Sequence, residues 1–102
     1  MLCVIKEDDM LEIRTTCENC KKELPNDSSE AFICTYECTF CKDCVDNILF
    51  NVCPNCGGGF EKRPTRPKDE LIQNPARKDI VFKPIVVNRF IEKFKKIDPR
   101  KR

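Results

Sequence analysis

The sequence predicts a small, metal-stabilised α+β domain with a few short strands, one short helix and a C-terminal helical extension. Three observations lead to this prediction: the chain has only 102 residues, nine of them are cysteines, and none is a histidine. A domain of this size buries too little apolar surface to be comfortably stable unaided, and such domains usually depend on disulfides or metal. Because 35% of the residues are charged and only 8% are aromatic, a large apolar core is not expected.

The cysteines are interpreted as metal ligands rather than as disulfide partners. The N-terminal segment MLCVIKEDDM is apolar for too short a stretch to be a secretion signal, and acidic residues follow it. No segment has the roughly 20 apolar residues of a membrane span. A reducing, cytoplasmic location is therefore expected, and in that location paired C-x-x-C motifs indicate metal binding.

Eight of the nine cysteines follow the spacing C-x2-C-x13-C-x3-C-x2-C-x2-C-x8-C-x2-C, which begins at Cys17. Zinc takes four ligands in a tetrahedron, so eight thiolates predict two structural Zn²⁺ sites with no open position for catalysis. Spacing alone leaves two divisions open. The sequential division gives Cys17, Cys20, Cys34, Cys38 and then Cys41, Cys44, Cys53, Cys56. The interleaved division gives Cys17, Cys20, Cys41, Cys44 and, for the other ion, Cys34, Cys38, Cys53, Cys56.

This pattern resembles a RING finger, a cross-braced two-zinc domain, and all eight of its ligand positions are present. The resemblance implies the interleaved division, with Cys17, Cys20, Cys41 and Cys44 as site 1 and Cys34, Cys38, Cys53 and Cys56 as site 2. More closely, CENCKKELP, ICTYECTFCKDC, VCPNCGG and RPTRP resemble a family of small bacterial all-cysteine proteins that is known as a domain of unknown function. That resemblance covers about residues 10–75 and implies a zinc-bound fold without an established activity.

Ubiquitin-ligase RING fingers bind a conjugating enzyme through a shallow apolar groove, whose positions correspond here to Asn19, residues 45–50 and Pro54. Asn19 is polar where an aliphatic residue is usual, and Gly57 lies where many active ligases have a charged residue nearby. A bacterial protein would also lack the ubiquitin system. These departures count against ligase activity, which is the only enzymatic alternative considered.

No catalytic residue and no organic cofactor are predicted. Without histidine, neither a Ser/His/Asp nor a Cys/His arrangement can form. Glu18, Asp43 and Asp46 lie near the cysteines and are expected to be solvated surface acids. Cys3, between Leu2 and Val4, is expected to be a small buried hydrophobe rather than a ninth ligand.

The chain divides into five predicted parts. These are an N-terminal strand at 1–16, a two-zinc RING-like module at 17–60, a basic Pro-containing linker or arm at 61–83, an amphipathic helix at 84–97 and a basic tail at 98–102. Within the module, CKDCVDNILF predicts a helix on which Val45, Ile48 and Leu49 share a face. DIVFKP in the arm predicts a short strand. The helix at 84–97 would carry one apolar stripe, formed by Val86, Val87, Phe90, Ile91, Phe94 and Ile97.

Charge is distributed unevenly along the chain. Residues 1–60 contain five Lys/Arg and eleven Asp/Glu, a net charge of −6, whereas residues 61–102 contain fourteen and six, a net charge of +8. We expect the positive C-terminal part to pack along the negative module, within one chain or between two. Nucleic acid is the less favoured partner, since six acids are mixed with the basic residues and no aromatic-studded basic strand is visible.

The sequence therefore predicts a zinc-binding protein-interaction or adaptor module. Its binding surface would be formed by residues 45–50 and by the C-terminal helix, and self-association would use Val86, Phe90, Ile91 and Phe94. The two alternatives are a RING-type ubiquitin ligase domain and a nucleic-acid-binding zinc protein.

Overall fold

Three short antiparallel strands form the only sheet among residues 11–102, the part of the chain that the computed structural model describes. The strands are β1 (Ala31–Ile33), β2 (Thr39–Cys41) and β3 (Glu61–Lys62), in the order β2-β1-β3. Ala31 pairs with Cys41, and Phe32 pairs with both Phe40 and Lys62. All three residues of β2 are buried. The sheet thus places the end of β2, and the cysteine at that end, inside the domain.

Helix α1 (Lys42–Asn47) begins directly where β2 ends, with the extended Cys41 as its N-cap. The predicted helix of the cysteine module is therefore present. Val45 and Leu49 are buried as the predicted apolar face requires, but Ile48 is half-exposed. The chain leaves the helix through Phe50 and Asn51, which both have a positive φ and so end the right-handed helix.

The core lies between the sheet and α1 and consists largely of cysteines and a few larger apolar side chains. The rings of Phe40 and Phe60 meet edge to face, with their centroids 5.4 Å apart. Leu24, Leu49 and Val52 are fully buried. The small size of this apolar core agrees with the prediction from composition.

The segment after residue 60 is more firmly attached to the module than a linker would be. It begins with β3, and Asn26 and Arg66 then exchange two hydrogen bonds of 2.9 Å between the Asn26 side chain and the Arg66 backbone. Helix α2 (Lys68–Gln73) follows, with no buried residue. The short strand predicted for DIVFKP at 79–84 is not formed.

The C-terminal helix is much shorter than the predicted 84–97. Helix α3 covers only Ile91–Phe94, and a 3-10 helix follows at Pro99–Lys101. Residues 83–88, called the strap below, have no regular secondary structure, and three of their polar groups bind the module instead of forming helical hydrogen bonds. The Asn88 side chain also accepts a hydrogen bond from the backbone N–H of Phe90 (3.1 Å), which forms a turn just before α3.

The predicted N-terminal strand at 1–16 falls largely outside the described residues, as does Cys3. Of the described part, only Thr16 forms a β-bridge, which pairs it with Glu23. None of the helices within residues 11–102 is long and apolar enough to cross a membrane.

Candidate metal centre

Two groups of cysteine sulfur atoms form the candidate centre. In the first group, Cys17, Cys20, Cys41 and Cys44 have all four sulfur atoms within 4.8 Å of one another. The second group, to the same limit, contains Cys34, Cys38 and Cys53. The two groups alternate along the chain, so the sulfur atoms are gathered as in the interleaved division and not as in the sequential one.

The distances within the first group fit a tetrahedral metal ion. The sulfur atoms of Cys17 and Cys44 are 3.8 Å apart, and those of Cys20 and Cys41 are 3.7 Å apart. With metal–sulfur bonds of about 2.3 Å, the edge of a regular tetrahedron is about 3.8 Å. A disulfide would require about 2.05 Å, and none of the eight cysteines within residues 11–102 is in a disulfide.

Two backbone turns with the same hydrogen bonds, called the knuckles, hold the pairs Cys17–Cys20 and Cys53–Cys56. In the first knuckle, Cys17 N–H donates to Lys22 C=O (2.9 Å) and Lys21 N–H donates to Cys17 C=O (3.0 Å). In the second knuckle, Cys53 N–H donates to Gly58 C=O and Gly57 N–H donates to Cys53 C=O, both at 2.8 Å. The residue after each pair, Lys21 or Gly57, has a positive φ, which turns the chain back beneath the sulfur atoms.

The remaining ligand pairs are held by other local structures. Cys34 and Cys38 flank a turn in which Glu37 N–H donates to Cys34 C=O, and Glu37 has a positive φ. Cys41 and Cys44 lie at the N-cap and in the first turn of α1. Each group therefore combines one knuckle with one pair from the segment 34–44.

Cys56 is not within the second group, although it was predicted as the fourth ligand of site 2. It is half-buried and accepts a hydrogen bond from Gly58 N–H (3.4 Å). Cys56 and Cys38 line one open cavity of about 460 Å³. The second group is thus a cluster of three sulfur atoms, with Cys56 at the edge of the same cavity.

Residues 10–66, which contain both groups, match the family described as protein of unknown function (DUF1272). The chain belongs to the DUF1272 family. An uncharacterized protein of Rhizobium meliloti (strain 1021) is 49% identical over 75 residues, which is 74% of this chain and 89% of that protein. No solved structure matches the chain. The resemblance of CENCKKELP, ICTYECTFCKDC, VCPNCGG and RPTRP to a family of unknown function is therefore confirmed.

The C-x-x-C motif of each knuckle in this DUF1272 protein, CENC or CPNC, has an asparagine in its third position, and both asparagines contact a sulfur atom. Asn19 Nδ2 donates to Cys44 Sγ (3.4 Å), and Asn55 Nδ2 donates to Cys38 Sγ (3.2 Å). In both cases the sulfur atom belongs to the partner pair rather than to the knuckle itself. These contacts were not predicted, although the shared pattern C-x-N-C in CENC and CPNC is the signal that could have indicated them.

Glu18 is buried, so its prediction as a solvated surface acid was wrong, whereas Asp43 and Asp46 are exposed as expected. Only 2% of Glu18 is accessible to solvent. Its carboxylate accepts hydrogen bonds from Thr39 N–H (2.6 Å) and from the guanidinium of Arg14 (2.8 Å). Burial raises the pKa of Glu18, and these two donors oppose that shift. Glu18 therefore links the first knuckle to the start of β2.

The thiols of the second group share their protons unevenly. Hydrogen bonds from Cys34 and Cys53 lower the pKa of Cys38 to about 2. The bond to Cys38 raises the pKa of Cys34 to about 11, and bonds to Cys34 and Cys38 raise that of Cys53 well above its usual range. The pKa values move in opposite directions because several negative sulfur atoms at this spacing repel one another. A divalent cation would remove that repulsion, so the donor set fits a thiophilic metal ion.

Proposed function

We propose that the chain is a protein-interaction module built around two structural Zn²⁺ ions in a RING-like cross-brace. The observation that carries the proposal is the first sulfur group, in which four cysteines from separate segments lie at the spacing of a tetrahedral thiolate site. Four thiolates favour zinc among the abundant biological divalent ions and leave no open position for a reacting ligand. The ion would supply folding free energy that the small apolar core cannot supply.

In this proposal the first ion is held by Cys17, Cys20, Cys41 and Cys44, and the second by Cys34, Cys38, Cys53 and Cys56. The support for Cys56 is its place in the same knuckle as Cys53 and on the same cavity as Cys38. Both ions would then be held by the segment 34–44, which carries one cysteine pair for each.

Metal counting tests this assignment. Native mass spectrometry of the full chain should show two Zn²⁺ ions, and each Cys→Ser substitution among the eight should remove one ion and destabilise the fold. One ion in the wild type, or a metal-free chain with disulfides, would contradict the proposal. Exposed Asn47→Ser is the matched control and should retain both ions.

We propose a protein partner that binds at the exposed apolar residues of the strap. Val86 is 92% exposed and Val87 is 75% exposed, beside a cavity of about 220 Å³ that Phe40 and Pro54 also line. Phe90 and Phe94 are half-buried and stack on each other over Gly57, so they are less available for self-association than Val86. A second copy of the chain and another protein are the two partners to distinguish.

A double substitution, Val86→Asp with Val87→Asp, tests this surface. The wild-type chain should retain a partner from a lysate of its native source, or form dimers in analytical ultracentrifugation, and the double variant should do neither. Ile72→Asp is the control, because Ile72 is 82% exposed but lies on α2. Equal retention by the wild type and by both variants would exclude this surface.

Nucleic acid is a second candidate partner because residues 89–102 contain seven Lys/Arg and two Asp/Glu. Binding to phosphates would weaken steeply with salt, so retention of DNA or RNA at low salt that is lost at high salt would favour it. Absence of retention at low salt would eliminate it.

We propose no enzymatic role: for a ubiquitin ligase, the groove position of Asn19 would have to be free, whereas its side chain binds the strap. Discharge of a loaded conjugating enzyme is the assay that would overturn this view.

A further inference from the structure

The strap is fixed to the cysteine module by three hydrogen bonds. Lys83 N–H donates to Glu18 C=O, Ile85 N–H donates to Asn19 Oδ1, and the Asn88 side chain donates to Val52 C=O, each at 2.8 Å. The side chain of Ile85 also packs against the buried core. Two of the three bonds end on the first knuckle, so the strap is attached next to the first sulfur group.

Asn19 contacts both the first sulfur group and the strap. Its Nδ2 donates to Cys44 Sγ in the first sulfur group, while its Oδ1 accepts the N–H of Ile85 in the strap. Because an amide has donors on one side and an acceptor on the other, the two contacts also fix its orientation. The reversed amide would place an oxygen against a thiolate and an NH₂ group against the N–H of Ile85, so both contacts would become repulsive.

Asn55 provides a natural comparison. It occupies the same position in the second knuckle and donates to Cys38 Sγ (3.2 Å). Within residues 11–102, however, its amide oxygen accepts no hydrogen bond from the strap backbone. The two asparagines therefore make equivalent contacts with sulfur, and only Asn19 joins that contact to the strap.

We infer that Asn19 is a positioning residue that couples retention of the first metal ion to docking of the strap. The inference rests on the proposed metal binding. A metal ion that holds Cys44 in place fixes the amide, and the fixed amide presents its oxygen to Ile85. Coupling free energies are reciprocal, so a docked strap also raises the affinity of this group for its ion. Asn55 provides no such link between the second group and the strap.

The first experiment compares metal release from the full-length, zinc-loaded protein after addition of an excess of a chromogenic chelator. Substitution of residues that contact ligating groups typically weakens metal affinity by about 10–100-fold. Asn19→Ala should accelerate release of one of the two ions by about that factor, and alkylation followed by peptide mapping should locate the exposed thiols at Cys17, Cys20, Cys41 and Cys44. Asn55→Ala should accelerate release of the other ion.

The second measurement is hydrogen exchange of residues 83–88 in the zinc-loaded proteins. Asn19→Ala should speed exchange of the Ile85 amide, whereas Asn55→Ala should not change it. If Asn19→Ala does not fold, Asn19→Asp replaces it: the carboxylate still accepts the Ile85 N–H but cannot donate to Cys44. That variant should lose the first ion faster than the wild type.

Two substitutions at Ile85 test the same coupling by changing the strap instead of Asn19. Ile85→Pro removes the N–H that Asn19 accepts, and Ile85→Ala removes the same packing but keeps the N–H. The proline variant should release the first ion faster than the alanine variant, and combining it with Asn19→Ala should add nothing further. Equal release by the two Ile85 variants, or faster release in Asn19→Ala without faster exchange in the strap, would overturn the coupling while metal binding stands. A wild-type chain without metal would overturn the proposed function and this inference together.

Discussion

Two charged side chains lie inside the module, and backbone groups satisfy each of them at least in part. Glu18 accepts the N–H of Thr39 together with the guanidinium of Arg14. Arg63, of which 2% is exposed, donates to the carbonyl groups of Arg14, Leu24 and Pro25. Burial lowers the pKa of Arg63, but an arginine remains charged even so. Because buried charges are costly unless paired, these two residues hold the segments around the first knuckle in one arrangement.

Arg63→Lys should destabilise the zinc-loaded protein although it conserves the charge. A lysine cannot reproduce the fork of donors that reaches three carbonyl groups, so at least one hydrogen bond to a charged group is lost, at a cost of about 2 kcal/mol. The melting temperature, followed by circular dichroism, should fall by about 10 °C. Arg89→Lys is the control, since Arg89 is exposed, and it should melt like the wild type. A drop of less than about 2 °C for Arg63→Lys would show that its buried bonds contribute little.

At the scale of elements, the two knuckles have the same pattern of backbone hydrogen bonds, but a different type of residue has the positive φ in each. Lys21 occupies this position in the first knuckle (φ 64°), and Gly57 occupies it in the second (φ 78°). The second knuckle needs a glycine for another reason. A Cβ on Gly57 would lie 2.8 Å from the ring of Phe94, which packs directly on this turn. Helix α3 is thus seated on the backbone of the second knuckle.

Gly57→Ala should therefore loosen α3 as well as strain the knuckle. The left-handed conformation costs a non-glycine residue about 1–2 kcal/mol, and the contact with Phe94 adds to this. We expect a lower melting temperature and faster hydrogen exchange in residues 91–97. Gly58→Ala is the matched control, because its Cβ would meet no atom closer than 3.4 Å and its φ is not positive. Indistinguishable melting and exchange for the two variants would contradict the seating of α3 on Gly57.

Across the whole molecule, the C-terminal part packs along the cysteine module instead of extending away from it. Arg77 N–H donates to Ile13 C=O, and its side chain forms an ion pair with Glu12 (3.0 Å). At the other end, the guanidinium of Arg102 donates to the carbonyl groups of Asn51 (2.8 Å) and Gly57 (3.2 Å). Among the described residues, the contacts are mostly hydrogen bonds to backbone carbonyls, so charge attraction is only part of what attaches this segment.

The net charge of the native chain should report how many ions it holds. The sequence alone has a formal charge of +2 at pH 7. Each site of four thiolates and one Zn²⁺ changes this charge by −2, so the chain carries +2, 0 or −2 with zero, one or two ions. Native electrophoresis at pH 7 should move the zinc-loaded protein toward the anode and the alkylated, metal-free chain toward the cathode. Migration of both toward the cathode would contradict two all-thiolate sites.

The sequence was sufficient for the parts of the structure that depend on local pattern. Helix α1 follows from the spacing of Val45 and Leu49, and the α+β class follows from a short chain with paired cysteines. The extent of α3 and the path of the strap could not be predicted, because the hydrogen-bond partner of Ile85 is Asn19, which lies 66 residues away. Burial of Glu18 and Arg63 was missed for the same physical reason: Thr39, which donates to Glu18, and the carbonyl groups that accept from Arg63 are all distant in the sequence.

Because the two sulfur groups alternate along the chain, bound metal would let the segment 34–44 tolerate a break in its backbone. If the peptide bond between Thr39 and Phe40 were cut, Cys17, Cys20, Cys34 and Cys38 would remain on one fragment and Cys41, Cys44 and Cys53 on the other. With the two proposed ions bound, each ion would then have ligands on both fragments, and the two ions together would hold the fragments in one particle. With sequential sites, the same cut would release two separate pieces. Two synthetic peptides, one that ends at Thr39 and one that begins at Phe40, should therefore assemble only when metal is added.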